Sequence, residues 1–246
     1  MPSPYLLLLC LLGGCAKNTN VPSPAPPSPA SPSPAHGADH GDGFEGDRST
    51  QHWFKDPATY AEHWNDPARD DYQKPDEILA AMQIAPGATV MDLGAGTGYL
   101  VPRLSAAVGE SGTVIAQDIS PEMIEYLSLT KEKAGWTNVT VSQGAPDDPG
   151  LDAGSVDRIV TLNVWHHIND RPAFGRALYA SLRPAGMVVI VDFLDEETEG
   201  FGPPMEMRLP AEQVVAELNE AGFQATIIEE TMPRHYVVRG MKMPRP

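Results

Sequence analysis

From about Gln73 onward, short apolar runs alternate with longer stretches whose apolar residues recur at helical spacing. Val90, Met91 and Leu93 make the first run, which empties into Gly94, Gly96 and Gly98 and predicts a buried strand followed by a tight turn. Tyr99 to Val108 then repeats at helical spacing, with Pro102 early enough to be tolerated in a first turn. Thr113 to Gln117 predicts a second strand ending at Asp118. Ser120-Pro121-Glu122 supplies an N-cap, a proline at the first helical position and a first-turn acid, which opens a helix through Ala134. Asn138 to Ser142, Val156 to Leu162 and Val188 to Phe193 read as three further strands, the middle one preceded by the turn-like Asp152-Ala153-Gly154-Ser155. A helix over Ala211 to Ala221 precedes two last strands, Phe223 to Glu230 and His235 to Arg239. Alternation of this kind predicts an α/β domain with a mostly parallel sheet covered on both faces, and about two hundred residues suffice for one sizeable core.

The glycine turn carries the chemistry. Removing three Cβ atoms lets a ligand approach the backbone closely, yet the dinucleotide-binding pattern needs a third glycine near Leu100 or Val101, and none is there. The motif is instead an acid, Asp92, followed by Gly94-Ala95-Gly96-Thr97-Gly98. About twenty residues on, Asp118 closes the second strand, where a carboxylate can accept hydrogen bonds from two ribose hydroxyls. This arrangement resembles motif I of the class I S-adenosylmethionine-dependent methyltransferases, in particular the ubiquinone and menaquinone biosynthesis type. Leu182-Arg183-Pro184-Ala185-Gly186 is similar to the turn before that family's fifth strand, with Ala185 in place of a glycine.

The resemblance implies a Rossmann-like seven-stranded sheet of order 3-2-1-4-5-7-6 and S-adenosylmethionine as cofactor. It places Asp92 near the methionine ammonium, the backbone from Gly94 to Gly98 at the amino-acid tail, Asp118 on the ribose and Ile119 over one adenine face. Ala145, Pro146 and Asp147 would approach the adenine amine, with Asp147 or the backbone supplying the acceptor, and Asn163 would sit at the mouth of the fourth strand. The chemistry implied is in-line methyl transfer to a small molecule such as a phenol, quinol, lipid or thiol, for which alignment and desolvation matter most. His166 and His167 are the general-base candidates because imidazole accepts a proton near neutral pH, and Asp192 is a further pocket candidate. Adjacent histidines after a buried strand also serve to satisfy local backbone groups, and Asp157 reads as support for its strand.

The front end divides differently. Tyr5 to Leu12 is an apolar run of signal-peptide length, and Leu12-Gly13-Gly14-Cys15 resembles a bacterial lipobox, so residues 1–14 are expected to be a signal peptide and Cys15 the lipidation site. Met1 to Pro4 lacks the usual basic residues, which an upstream start would supply; a fortuitous leader would leave the protein cytoplasmic. Residues 15–50 read as a tether, Pro/Ser/Ala-rich from Val21 to Ala35 and then rich in His and Asp, with His36, His40 and His52 as weak metal-ligand candidates beside a solvated spacer. Ala16 after the cysteine favours an outer-membrane destination on the periplasmic face of the cell envelope. The catalytic domain is expected over 51–246, with the aromatic-rich 51–74 as an N-terminal lid or simply packed at the sheet edge.

A net charge of −16, all of it after Cys15, and seventeen scattered Lys and Arg residues disfavour nucleic acid as a partner. Export raises an alternative, a membrane-tethered binding protein that keeps the fold without catalysis, because S-adenosylmethionine is made in the cytoplasm. The intact glycine turn and ribose acid favour an enzyme.

Overall fold

The structure, a computed structural model, describes residues 56–198 and 200–243. The expected leader, lipidation site, tether and His36, His40 and His52 lie outside them.

Two short helices, α1 (Pro57–Trp64) and α2 (Asp70–Gln73), flank a 3₁₀ turn over Pro67–Arg69, and α3 (Pro75–Met82) follows. Lys74, in the left-handed conformation, ends α2, and Pro75 starts α3 at a position where no amide hydrogen is needed. The sheet comprises β1 (Thr89–Leu93), β2 (Thr113–Asp118), β3 (Val139–Gln143), β4 (Val156–Leu162), β5 (Leu182–Phe193), β6 (Gln224–Ile228) and β7 (His235–Met241). Their order is 3-2-1-4-5-7-6, with β7 antiparallel to both β5 and β6 and the other pairs parallel. Helices α4 (Val101–Val108), α5 (Pro121–Ala134), α6 (Arg171–Ser181) and α7 (Ala211–Glu220) complete the domain.

Each face of the sheet buries its own cluster. Val90, Val160, Val189, Val191 and Val237 face α3 and α4, where Ile78, Met82 and Leu104 are fully buried. Met91, Ile159, Ile190 and Val238 face α6 and α7, against Phe174, Leu178, Val214 and Leu218. Each such side chain contributes about 1.5–3 kcal/mol by leaving water. Because both faces are covered, ligands have access only at the strand ends. The order reverses between β1 and β4, so the crevice opens at the carboxyl ends of β1, β2, β4 and β5.

The expected α5 and β4 coincide with the observed elements, with Ser120 accepting from the Met123 amide at 3.3 Å and Gly135 ending α5 at φ 69°. The other elements shift by one to a few residues at their ends, and two of these differences have a local cause. The helix expected from Tyr99 starts at Val101, because the Gly98 amide turns back onto the Ala95 carbonyl at 2.8 Å and Val101 onto Gly98 at 3.1 Å. The turn expected before the fifth strand lies within β5, as an irregularity between Leu182, paired with Val156, and Met187, paired with Arg158. Ala185 sits there at φ 63°, in the left-handed region. A Cβ on Gly186 would meet the Arg183 carbonyl oxygen at 2.8 Å. Ala185→Gly is therefore expected to stabilise the fold by about 0.5–1 kcal/mol, strain relief exceeding the added chain entropy, while Gly186→Ala destabilises it by about 1–3 kcal/mol. Urea denaturation of the two variants checks both signs.

Candidate functional site

The glycine turn between β1 and α4 is pinned by the end of β2. The Ala95 amide donates to the Gln117 carbonyl at 2.7 Å, the Gly94 amide to Gln117 Oε1 at 3.2 Å, and the Gly96 amide to Asp118 Oδ2 at 2.9 Å. Gly94, Gly96 and Gly98 hold φ of 72°, 54° and 86°. Side chains approach them closely: a Cβ on Gly94 would stand 2.5 Å from Val164, and one on Gly96 3.4 Å from the Trp64 ring. Gln117 was not legible as a site residue. A signal existed in Gly144, whose Cβ would fall 1.6 Å from Gln117 Nε2, so the glycine there makes room for that amide.

Two carboxylates flank the turn. Asp92, only 3% exposed at the end of β1, has no hydrogen bond, and burial pushes its carboxyl up to about 7, helped by the charge of Asp118 and opposed by Arg69. Asp118 is raised by burial despite accepting from Ser120, Gly96 and Ile119 amides. Ile119 beside it is 44% exposed, as an adenine-covering residue needs to be. Ala145, Pro146 and Asp147 form an exposed turn closed by paired Ala145 and Asp148 backbone bonds at 3.0 and 3.2 Å. Asn163 ends β4 at φ 61° with its Oδ1 buried and unpartnered.

His166 and Asp192 come together from two elements. Nδ1 of His166 lies 2.7 Å from Asp192 Oδ1, the His166 amide donates to Oδ2 at 3.0 Å, and both residues are buried. Burial pushes the Asp192 carboxyl up, but the His166 charge, its ring bond and two backbone amides outweigh this and hold it below the usual range. His167 is half-buried with its ring 4.1 Å from that of His166. The 3₁₀ turn Trp165–His167 is anchored beneath, where Trp165 Nε1 donates to Glu217 at 2.9 Å and Arg171 pairs with the same carboxylate at 2.9 Å. Asp157 lies elsewhere, accepting from the Thr89 amide and bonded to Arg183 at 2.5 Å, which is the supporting role expected of it.

The segment before β1 covers the glycine turn. Asn65 Nδ2 donates to the Thr97 carbonyl at 3.0 Å, and the Thr97 hydroxyl donates to Asn65 Oδ1 at 2.9 Å. The Tyr99 hydroxyl donates to Asp70 at 2.7 Å, and the Arg69 guanidinium lies 4.1 Å from the Tyr99 ring. None of Asn65, Arg69 or Asp70 stood out in the sequence, since each is defined by a partner about thirty residues away.

Comparisons with known proteins fit this geometry. Residues 90–186 match the family model for a methyltransferase domain. An S-adenosylmethionine-dependent methyltransferase from Aquifex aeolicus superposes with TM-score 0.71 at 29% identity, covering 76% of this chain and 99% of that one. An arsenite methyltransferase of Halobacterium salinarum is 30% identical over 62% of this chain and 41% of its own length. The ubiquinone/menaquinone biosynthesis C-methyltransferase UbiE of Pseudoalteromonas translucida is 27% identical over 50% of this chain and 49% of its own. The chain thus spans half or less of the length of these two curated relatives. The fold is Rossmann-like, residues 90–186 resemble a methyltransferase domain, and the Aquifex neighbour is a methyltransferase that depends on S-adenosylmethionine. The residues fit that group: Asp92 is a buried carboxylate without a hydrogen-bond partner, suited to a cation, and the Asn163 Oδ1 lacks a donor.

Asp92 makes stability depend on pH with a defined sign. Its folded value of about 7 exceeds the ordinary 3.8, so between these values the folded state binds more protons and loses stability as pH rises. His235, lowered by burial to about 3, works oppositely below about 6.5 and partly masks this. The clean quantity is the difference from Asp92→Asn. That variant is expected to gain on the wild type steadily from pH 4 to pH 7, by on the order of 3 kcal/mol, and to hold the gain above that. Parallel urea titrations across pH measure it, and a constant difference would remove Asp92 as the source.

Proposed function

We propose that this chain transfers the methyl group of S-adenosylmethionine to a small-molecule acceptor at the carboxyl ends of β1, β4 and β5. The observation that carries the reading is the glycine turn fastened between two buried acids, Asp92 and Asp118. Bound there, the cofactor supplies an electrophilic methyl carbon on a sulfonium centre. Asp92 faces its cationic tail, Asp118 takes ribose hydroxyls, Ile119 covers the base, and Val164 and Trp64 exclude water over the turn. His166 holds the acceptor's proton: with Nδ1–H donated to Asp192, Nε2 is the basic nitrogen. An acceptor hydroxyl or amine would lose its proton to that atom, which would free its lone pair for the methyl group that the bound cofactor would supply. The likeness to arsenite methyltransferases does not bring their acceptor with it. A soft metalloid favours thiolate ligands, and the chain's two cysteines, Cys10 and Cys15, lie outside the domain.

Calorimetric titration of the full-length protein with S-adenosylmethionine and its demethylated product is expected to show micromolar binding. Asp118→Ala should weaken it about 10- to 100-fold through lost hydrogen bonds, and wild-type affinity should rise as pH passes through 7 and Asp92 ionises. His166→Ala should leave this binding intact and slow transfer of labelled methyl to extract small molecules by about 10²- to 10⁴-fold. The absence of both heat and thermal shift at millimolar ligand would defeat the proposal.

The reading extends to the front end: Cys15 is the proposed lipidation site, through which the chain is anchored at the envelope membrane. One acyl chain anchors marginally at ~0.8 kcal/mol per buried CH₂, so durable attachment takes several. In a bacterial host fed labelled palmitate, the wild type is expected in the labelled membrane fraction and Cys15→Ser in the soluble, unlabelled one. Equal, unlabelled and soluble behaviour would contradict the anchor.

A further inference from the structure

Three guanidiniums converge at the ends of β5 and β7 without a carboxylate in ion-pair range. Arg69 donates to the Trp64 carbonyl at 2.8 Å and to Gln73 Oε1 at 3.3 and 3.4 Å. Arg208 is spent on the carbonyls of Pro203, Leu194, Glu196 and Phe201, which tie down the segment between β5 and α7. The Arg234 carbonyl accepts from the Leu194 amide at 3.0 Å, but its guanidinium makes no hydrogen bond and rests 4.1 Å from the centre of the Phe201 ring and 5.1 Å from that of Tyr72. Among the described residues, arginine ion pairs form only at Arg103, Arg171 and Arg183. In a chain with 33 acidic and 17 basic residues, three unneutralised cations in one place run against the composition.

Between these cations lies His235, 0% exposed, with neither ring nitrogen hydrogen-bonded. It is paired in register with Phe193, and the two rings are 4.5 Å apart. Phe193 continues to Phe201 at 6.1 Å, and Phe201 to Tyr72 at 5.1 Å. The charges bearing on His235 are Asp192 on one side and Arg69, Arg234 and Arg208 on the other, two more positive than negative. Leaving a buried ring with two unmade bonds costs free energy, and protonating it among three guanidiniums costs more, so His235 stays neutral and does not offset their charge. Phe193 also lies next to the proposed base, its ring 6.0 Å from His166.

Resting on the methyltransferase reading, we infer that this face is the acceptor subsite and that it takes a flat aromatic carboxylate, gripped by Arg234 and lying against the half-buried Phe201 and Tyr72 rings, with Phe193 and His235 packed behind them. The aromatic faces suit a planar apolar body, and a guanidinium fork suits a carboxylate. Arg234 is the member with every donor free, so it sets the preference for an anion; Arg69 and Arg208 add field without being available to bond fully.

The test uses the full-length protein and two probes of one shape, 4-hydroxycinnamate and the neutral 4-hydroxycinnamamide, titrated with and without the demethylated cofactor. The carboxylate is expected to bind at least about tenfold tighter than the amide, and to weaken as salt is raised. Arg234→Gln should reduce carboxylate affinity about 10- to 100-fold while changing amide affinity less than about twofold. Arg176→Gln, on the exposed face of α6, should change neither. Equal affinities for the two probes, binding of neither, or an Arg234→Gln effect equal on both would overturn the subsite. If the demethylated cofactor does not bind but the anion preference and its Arg234 dependence persist, the methyltransferase reading falls and the anion site stands.

Discussion

The contact on which the site depends is the one between the end of β2 and the glycine turn. Three consecutive turn amides, from Gly94, Ala95 and Gly96, are claimed by Gln117 and Asp118. A turn of alternating positive-φ residues has little conformational preference of its own, so these bonds give it one shape. One of them, from Gly96, falls on Asp118 Oδ2, and with the Ser120 and Ile119 amides it orients that carboxylate. Position and chemistry are thus set together: moving β2 by one residue would exchange Asp118 for a neighbour on the opposite face of the sheet and unfasten the turn at once.

The charges around this turn are unbalanced in opposite senses at its two ends. Asp92 and Asp118 sit buried with only the Arg69 charge opposing that of Asp92, while Arg69, Arg208 and Arg234 near β7 have no carboxylate within ion-pair range. Neither arrangement serves the stability of the empty protein, since buried carboxylates resist ionisation and uncompensated guanidiniums repel. Elsewhere the same chain pairs its buried charges thoroughly, as in Arg171 with Glu217 and His166 with Asp192. The contrast separates groups that complete the fold from groups left open for something cationic on one side and anionic on the other.

The strands were legible because each is a local signal, an apolar run bounded by a turn or an N-cap, while their order followed from the resemblance carried by the glycine spacing. The helices α3 and α6 were passed over although Pro75 and the Asp170 cap mark their starts; Asp170 accepts from Ala173 at 2.9 Å. The irregularity inside β5 was invisible, because it is defined by what β4 pairs with rather than by its own residues. The same holds for Gln117, Arg69, Arg234 and His235. A glutamine in a strand or an arginine near a turn has no local signature; its meaning comes from the missing or present partner across the sheet.

Arg69 connects the two halves. It lies within electrostatic range of Asp92 on the cofactor side and of His235 on the other, and it is held by Trp64 and Gln73, the segment that also covers Gly96. A ligand cation beside Asp92 would compete with Arg69 for that carboxylate's field, leaving more of the guanidinium's charge directed at an anion near Arg234. The segment carrying Arg69 is fastened to the glycine turn through Asn65 and Thr97, so any shift of the turn moves Arg69 as well. Arg69 is thus the one charge that bears both on Asp92 and on His235.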